Sequence, residues 1–235
     1  MAHSERRSTM TATVPGTAEP ADDPAPTRER EVISAFAEIT REAITDTRLE
    51  DLLTLVGRQL CQLLGVTRCS VYLRHGSGRY RGAAGYCQDA GNITEDVRRQ
   101  ESGFDGDRFS QEVITTRGPV VLHDALNDPR PHHRTMTRWD VRAMLGVPLV
   151  FDDEVIGLIF VDCRGREHDF TPGDIEVAML FARLSALFIS QAMLNNRLRR
   201  QAAENARKHA ALAFLEDVHA QLTGAVLAGA DLHRV

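Results

Sequence analysis

Few side chains in this sequence have the types and spacing that chemistry requires. His132 and His133 are adjacent, so their side chains point in different directions, whereas zinc sites are built from spaced ligands. Asp152 and Asp153 are paired carboxylates, but they fall between two β-rich runs, where solvated turn residues are expected. The sequence has no G-x-S-x-G nucleophile elbow, no H-E-x-x-H motif and no P-loop. We therefore predict that the chain is not an enzyme and holds no catalytic metal.

The cysteines predict a reduced chain. They lie far apart and form no C-x-x-C pair: Cys61, Cys69, Cys87 and Cys163. This pattern is typical of a cytoplasmic protein with free thiols. Because Cys69 and Cys163 fall in predicted strands, we expect them to act as small buried hydrophobic residues.

Composition and charge exclude several classes of protein. The chain has 235 residues, of which 43% are hydrophobic and 26% charged, the mixture of a soluble globular protein. Its net charge of −5 supplies no basic field for nucleic acid. No uninterrupted apolar run approaches the roughly 20 residues of a membrane span, and the N-terminus lacks the apolar segment of a secretory signal. The composition predicts a cytoplasmic chain with no membrane partner.

The hydrophobic periodicity divides the chain into helices and strands. Residues 1–30 are polar and proline-containing, which predicts a disordered leader. Helical spacing begins at Glu31, and a capping box over residues 47–50 predicts a second, leucine-rich helix that ends at Gly65. Thr171, Pro172 and Asp174 predict the start of a long helix without a breaker to about Leu215. Between these helices lie short β-rich runs, at residues 69–73, 80–87, 120–122, 144–151 and 155–161.

This order predicts an α+β fold. We expect an antiparallel sheet of five or six strands, with the N- and C-terminal helices on one face and a long C-terminal signalling helix. Two long polar connections, residues 88–106 and 123–141, would then lie on the other face. Loops of that length usually carry function.

The motifs in this order resemble a GAF domain over roughly residues 31–195. The closing half carries the run Leu145-Gly146-Val147-Pro148-Leu149, the hairpin that follows, residues 156–162, and then Asp169-Phe170-Thr171-Pro172-Gly173-Asp174. The opening half carries Leu64-Gly65-Val66, the strand at 69–73 and residues 116–121. The resemblance implies a PAS-like sensory fold with a small-molecule pocket between the sheet and the loop-bearing face.

No ligand signature of the family matches, so the candidate pocket residues are inferred from their placement alone. An apolar pocket with a few polar handles would be lined by Tyr72, Phe104, Phe109, His123, Trp139 and Met144. Arg81 and Arg142 are the candidates to pair with an anionic ligand. For each of these ligand-binding residues, core packing or solvent exposure is an equally good reading.

The C-terminal helix is expected to join two chains. A heptad runs through Leu180, Leu187 and Leu194 and continues through the linker at 196–235. We predict a homodimer through the N- and C-terminal helices; the alternative is an amphipathic helix packed on its own domain. Residues 222–232 resemble the segment after the sensor in PucR/CdaR-type transcription regulators, which implies a DNA-binding output domain absent from these 235 residues.

Two further functions stay open at this stage. The first is the sensor of a histidine kinase or a haem or redox sensor, since some GAF sensors bind haem and His132 or His133 would supply the ligand. The second is an enzyme of the GAF-fold methionine sulfoxide reductase type, although the cysteine spacing does not resemble that of those enzymes. No cofactor other than haem is expected.

Overall fold

The computed structural model describes residues 27–45, 47–76, 78–100 and 107–231, with side chains as far as residue 215. Its helices are α1 (Arg28–Ile44), α2 (Leu49–Leu64), α3 (Thr94–Arg99), α4 (Arg108–Thr116), α5 (His133–Trp139) and α6 (Pro172–Asp231). Its strands are β1 (Arg68–His75), β2 (Arg79–Cys87), β3 (Gly91–Asn92), β4 (Val120–Leu122), β5 (Val141–Phe151) and β6 (Glu154–Arg164).

The six strands form one antiparallel sheet in the order β3-β2-β1-β6-β5-β4. The two central strands, β1 and β6, come from opposite halves of the chain and pair over Arg68–Leu73 and Gly157–Asp162. This arrangement confirms the predicted α+β fold. Each strand residue faces one side of the sheet and its neighbour faces the other, so β1, β5 and β6 contribute to two separate cores.

One core lies between the sheet and the terminal helices α1, α2 and α6. Buried residues of α6, such as Phe181 and Ile189, pack there with Leu53 and Leu60 of α2 and with alternate residues of the strands. The other face of the sheet is covered by α3 and α5, which lie within the two long connections, and by α4, which lies between these connections in the chain. These connections are therefore partly helical, since residues 88–106 include β3 and α3 and residues 123–141 include α5.

Helix α6 begins where predicted, with Thr171 as its cap, and the structure adds a second bond to this cap. The hydroxyl of Thr171 accepts the backbone N–H of Asp174 at 3.2 Å, and the Asp174 carboxylate accepts the backbone N–H of Thr171 at 2.8 Å. Arg28 at the start of α1 also binds this carboxylate. The reciprocal cap satisfies two helix-end donors and joins the first and last helices of the fold.

The capping box predicted for α2 is absent. The residue before this helix is Arg48, which makes no side-chain cap, and the hydroxyl of Thr47 donates instead to Glu42 of α1. The connection between α1 and α2 turns Thr47 back toward the preceding helix, so its oxygen does not reach the N–H groups of α2. The stop at Gly65 is as predicted, since this residue adopts φ 61° and closes the helix.

The tight hairpin between β5 and β6 is confirmed. Phe151 pairs with Glu154, which leaves Asp152 and Asp153 as a two-residue turn with φ of 51° and 60°. Two successive left-handed residues match the twist of the adjoining strands, and aspartate tolerates that conformation better than most residues.

The ends of the chain extend the sequence prediction. Residues 1–26 of the expected leader lie outside the described residues, and α1 begins at Arg28, three residues before the expected start of the domain. Helix α6 continues beyond Leu215 to Asp231 and has 60 residues, about 90 Å at 1.5 Å per residue. By length and composition α6 is also apolar enough to cross a membrane, since 18 residues within Pro172–Leu215 have a mean hydropathy of 1.7. A third of that stretch is buried in the fold.

Candidate functional site

A cavity of about 470 Å³ lies on the face of the sheet that α3, α4 and α5 cover. The strands β1, β5 and β6 form its floor, and the three short helices form its walls. Its volume is in the range of small-molecule sites. Aromatic side chains supply much of its surface, and a set of polar and charged groups is concentrated on β1, β6 and α5.

The aromatic part of the cavity is a continuous cluster. The Tyr72 ring meets the Phe160 ring edge-on, with centroids 5.7 Å apart, and Phe109 lies 5.9 Å from Phe160. Phe109 and Tyr72 are buried, so their positions are fixed by packing. The hydroxyl of Tyr72 donates to the side-chain oxygen of Gln100 at 2.8 Å, and burial raises the pKa of this hydroxyl. Tyr72 therefore presents a neutral hydroxyl at physiological pH.

A buried ion pair lies at the floor of the cavity. Arg68 of β1 donates to both carboxylate oxygens of Asp162 of β6, at 2.8 and 3.0 Å. Its guanidinium also lies over the indole ring of Trp139, 4.4 Å from the ring centroid. Burial raises the pKa of the Asp162 carboxyl, and the positive charge of Arg68 opposes that shift. The pair connects the two central strands to the short helix α5.

A second carboxylate, that of Asp107, caps the N-terminus of α4. It accepts the backbone N–H groups of Phe109 and Ser110 and, at 2.7 Å, the hydroxyl of Ser110. Burial raises the pKa of Asp107, and the hydrogen bonds from Ser110 oppose that shift. Asp107 is thus a helix cap whose oxygens already have donors.

Helix α5 brings basic side chains to the rim. Arg134 and Arg138 are four residues apart and so lie on the same side of α5, and both line the cavity. His132, which precedes the helix, lines the cavity as well, whereas His133 does not. The indole N–H of Trp139 is buried and has no acceptor among the described residues.

Four of the eight predicted pocket residues line the cavity: Tyr72, Phe109, Trp139 and Met144. Phe104 lies outside the described residues. The other three, Arg81, His123 and Arg142, do not line this cavity. Arg142 is exposed, with its guanidinium 3.6 Å from the carboxylate of Asp140. Arg81 pairs in register with Leu73, which packs on the helical face, and is exposed. His123 is exposed beside Asp169.

Sequence reasoning missed the residues that carry the charge of the cavity. Arg68 and Ser70 precede Tyr72 by four and two residues, so strand alternation from Tyr72 places all three on one face. The same rule applied from the GAF-like motif at 156–162 selects Phe160 and Asp162. No such rule was available for Arg134 and Arg138, because α5 was read as a loop.

The cysteines do not line this cavity, although Cys87 packs in the buried cluster on the same face of the sheet. All four are buried free thiols. Burial raises the pKa of Cys61 and Cys69 far above its usual range, which keeps both as inert thiols. No cluster of three or more histidine, cysteine or acidic residues suited to a metal ion occurs in the described part of the chain.

A family model described as GAF domain matches residues 48–189, more than half of the chain. Similar solved structures include a GAF domain of a phosphoenolpyruvate-protein phosphotransferase from Coxiella burnetii (23% identity, 71% of this chain and 97% of that chain, TM-score 0.60). Another is a GAF domain/HD domain protein from Geobacter sulfurreducens (17% identity, 65% of this chain and 97% of that chain, TM-score 0.55). A third is a phycoerythrobilin-bound GAF domain from a cyanobacterial phytochrome (18% identity, 72% of this chain and 99% of that chain, TM-score 0.53). At these identities the structures show a shared fold. No curated protein matches the chain in sequence.

Proposed function

We propose a function from the premise that this chain belongs to the GAF domain family, a small-molecule-sensing regulatory fold of many signalling proteins. The cavity binds a small ligand, and α6 transmits the resulting change. The observation that carries the proposal is the cavity itself. It is large enough for a small molecule, its aromatic walls are fixed by packing, and its polar groups are gathered on β1, β6 and α5.

The strands offer a direct route from the cavity to α6. Met144 lines the cavity, whereas its neighbours Ala143 and Leu145 face the core that contains Phe181 of α6. A ligand that moves β5 on one face therefore changes the packing of α6 on the other. Packed cores respond to such shifts by moving between discrete arrangements, which suits a switch.

The second part of the proposal is a homodimer. Three leucines at heptad spacing are exposed on α6: Leu180 by 44%, Leu187 by 45% and Leu194 by 57%. A stripe that repeats every seven residues is self-complementary, so a second copy of the same helix covers it. Ile33 of α1 is also exposed, by 67%, which supports a contribution from the N-terminal helix.

The output of the proposed switch is transcription. This part rests on the resemblance of residues 222–232 to the segment after the sensor of PucR/CdaR-type regulators, and on the helical backbone that α6 keeps through Asp231. A helix-turn-helix encoded after Val235 supports the proposal, and a kinase core there contradicts it. Binding of DNA is assigned to that output domain. The four free cysteines support a cytoplasmic location.

We propose no enzymatic activity for the chain. A reductase of the GAF-fold type needs cysteines around the pocket, and here none of the four buried thiols lines the cavity. Turnover of methionine sulfoxide that is lost on mutating Cys87 or Cys163 would contradict this part.

A haem-based sensor is the second candidate, because His132 lines the cavity. Its signature is a Soret band after purification or reconstitution with haem. We expect His132→Ala to abolish this band. We expect His133→Ala, at the neighbouring position that does not line the cavity, to preserve it. Absence of the band in the reconstituted protein removes this candidate.

Thermal-shift measurements with a library of small metabolites test ligand binding. A ligand present at a hundred times its Kd stabilises the folded chain by about 2.7 kcal/mol. Thr135→Phe places a ring at a residue that lines the cavity, whereas Thr137→Phe adds the same ring on an exposed position of α5. We expect hits with the wild type and Thr137→Phe that Thr135→Phe loses. A compound that still stabilises Thr135→Phe binds outside the cavity. If no compound stabilises the folded wild type, the proposal is contradicted.

A further inference from the structure

We infer that the ligand is a small aromatic acid, whose anionic oxygens are bound by Arg134 and Arg138. The inference rests on the proposed function, since it names the chemical class of ligand for the same cavity. It is carried by the charge balance of the described lining residues and by the aromatic rings beside them.

Among the described residues, the lining has more positive than negative groups. In that part of the chain, four arginines line the cavity against two carboxylates, Asp107 and Asp162. Both carboxylates are already engaged, Asp162 by two hydrogen bonds from Arg68 and Asp107 by the start of α4. The remaining arginines therefore leave a positive field that the described residues do not neutralise.

The two arginines of α5 carry most of this surplus. Neither Arg134 nor Arg138 forms an ion pair with a carboxylate of the residues that the structure describes, whereas Arg99 has Asp96 at 3.6 Å. Because Arg134 and Arg138 are four residues apart, their guanidinium groups extend from the same side of α5. Guanidinium groups match the geometry of carboxylate and phosphate oxygens, to which each donates two parallel hydrogen bonds.

The sign of the charge disfavours one class of ligand. A cationic ligand is repelled by the two arginines of α5, which have no carboxylate partner among the described residues.

The body of the ligand follows from the rings around it. Tyr72, Phe109 and Phe160 present an apolar surface of planar side chains, and Met144 adjoins them. Flat unsaturated ligands pack on such rings with favourable edge and face contacts. An acid with a ring therefore matches both halves of the cavity, the rings of the floor and the arginines of α5.

The experiment is a titration with matched acids and a neutral analogue. Trp139 is the only tryptophan of the chain and lines the cavity, so its emission reports binding at the site itself. The probes are benzoate, phenyl phosphate and benzamide, which has the shape of benzoate without its charge. We expect at least one acid to bind about tenfold more tightly than benzamide, since charge-assisted hydrogen bonds are the stronger ones. Comparison of benzoate with phenyl phosphate tells which acid group is preferred.

Charge-matched variants locate the effect. Arg134→Gln and Arg138→Gln should each weaken binding of the acid about tenfold and leave that of benzamide unchanged. Arg142→Gln and Arg81→Gln remove the same charge outside the cavity and should change neither. Circular dichroism checks that each variant is folded. Benzamide bound as tightly as the acids, or equal losses in all four variants, overturns the inference.

The outcome also separates this inference from the function on which it rests. If the acids fail to bind but neutral or cationic library compounds stabilise the wild type and not Thr135→Phe, the ligand class is wrong and the sensor stands. If neither the acids nor any library compound binds the folded chain, both are wrong.

Discussion

Arg68 and Asp162 form a bidentate ion pair that joins the two central strands beneath the cavity. Asp162 is only 2% exposed, and the same guanidinium that binds it lies over the ring of Trp139. The pair thus fixes one wall of the cavity to the middle of the sheet. Its burial makes each partner dependent on the other, because a buried charge without a counter-ion is costly.

Removing one partner of this pair should destabilise the chain strongly. Arg68→Met leaves the Asp162 carboxylate buried alone, and we expect a loss of about 3–5 kcal/mol in the free energy of unfolding. Urea unfolding followed by circular dichroism measures it. The double variant Arg68→Met/Asp162→Leu removes both charges and should lie closer to the wild type than Arg68→Met does. If the double variant loses as much free energy of unfolding as Arg68→Met and Asp162→Leu lose together, the two charges do not act as a pair.

The capping box of α6 predicts a pH dependence of stability. Burial alone would raise the pKa of Asp174, but hydrogen bonds from Thr171 and Arg28 outweigh it and lower the pKa. The stabilisation is therefore complete above the ordinary carboxyl pKa and is lost as pH falls through the lowered one. Asp174→Asn should cost about 1 kcal/mol near pH 7, and the difference from the wild type should shrink in acid. Urea unfolding of Asp174→Asn and the wild type, near pH 7 and in acid, measures this difference in the free energy of unfolding. A difference that grows in acid would contradict the assigned cap.

Gly157 should not tolerate a side chain. A Cβ atom at this position would lie 2.6 Å from the carbonyl oxygen of Tyr72 and 2.6 Å from a methyl carbon of Leu149. Since Tyr72 lines the cavity, Gly157→Ala should separate β6 from β1 there and cost about 1–3 kcal/mol. Gly118→Ala is the control, because a Cβ there meets nothing closer than 3.8 Å. Thermal unfolding compares the two, and equal effects would mean that the close packing of β1 and β6 does not limit this position.

The leucine stripe of α6 predicts the oligomeric state. We expect a dimer at micromolar concentration by size-exclusion chromatography with light scattering. Leu187→Glu/Leu194→Glu should weaken that dimer by about a hundredfold or more, because each leucine covered in the interface contributes about 1.5–3 kcal/mol. Phe151→Glu, at an exposed hairpin residue outside the stripe, should leave the dimer intact. A monomeric wild type, or a dimer indifferent to both substitutions, would remove the stripe from the account.

The sequence contains most of the fold because its signals are local. Periodicity and cap residues predict the sheet and the long helix, and the predicted Thr171 cap is present at the start of α6. Half of the expected pocket lining was also right, since Tyr72 and Met144 belong to strands whose alternation is readable. Arg81 lies on the face of the sheet opposite the cavity, and Arg142 lies at an irregularity in the register of β5 against β6, where simple alternation from Met144 fails. The pairing of Arg68 with Asp162 spans 94 positions and depends on the register of β1 against β6, which no local pattern specifies.

Hydrogen–deuterium exchange with and without a ligand that Thr135→Phe fails to bind tests the central claim most directly, that occupancy of the cavity changes α6. We predict slower exchange at the cavity walls, α4 and α5, together with altered exchange in the part of α6 that packs on β5, around Phe181. Protection limited to the cavity walls, with α6 unchanged in the same samples, would contradict it, because the cavity would then bind its ligand without a signal.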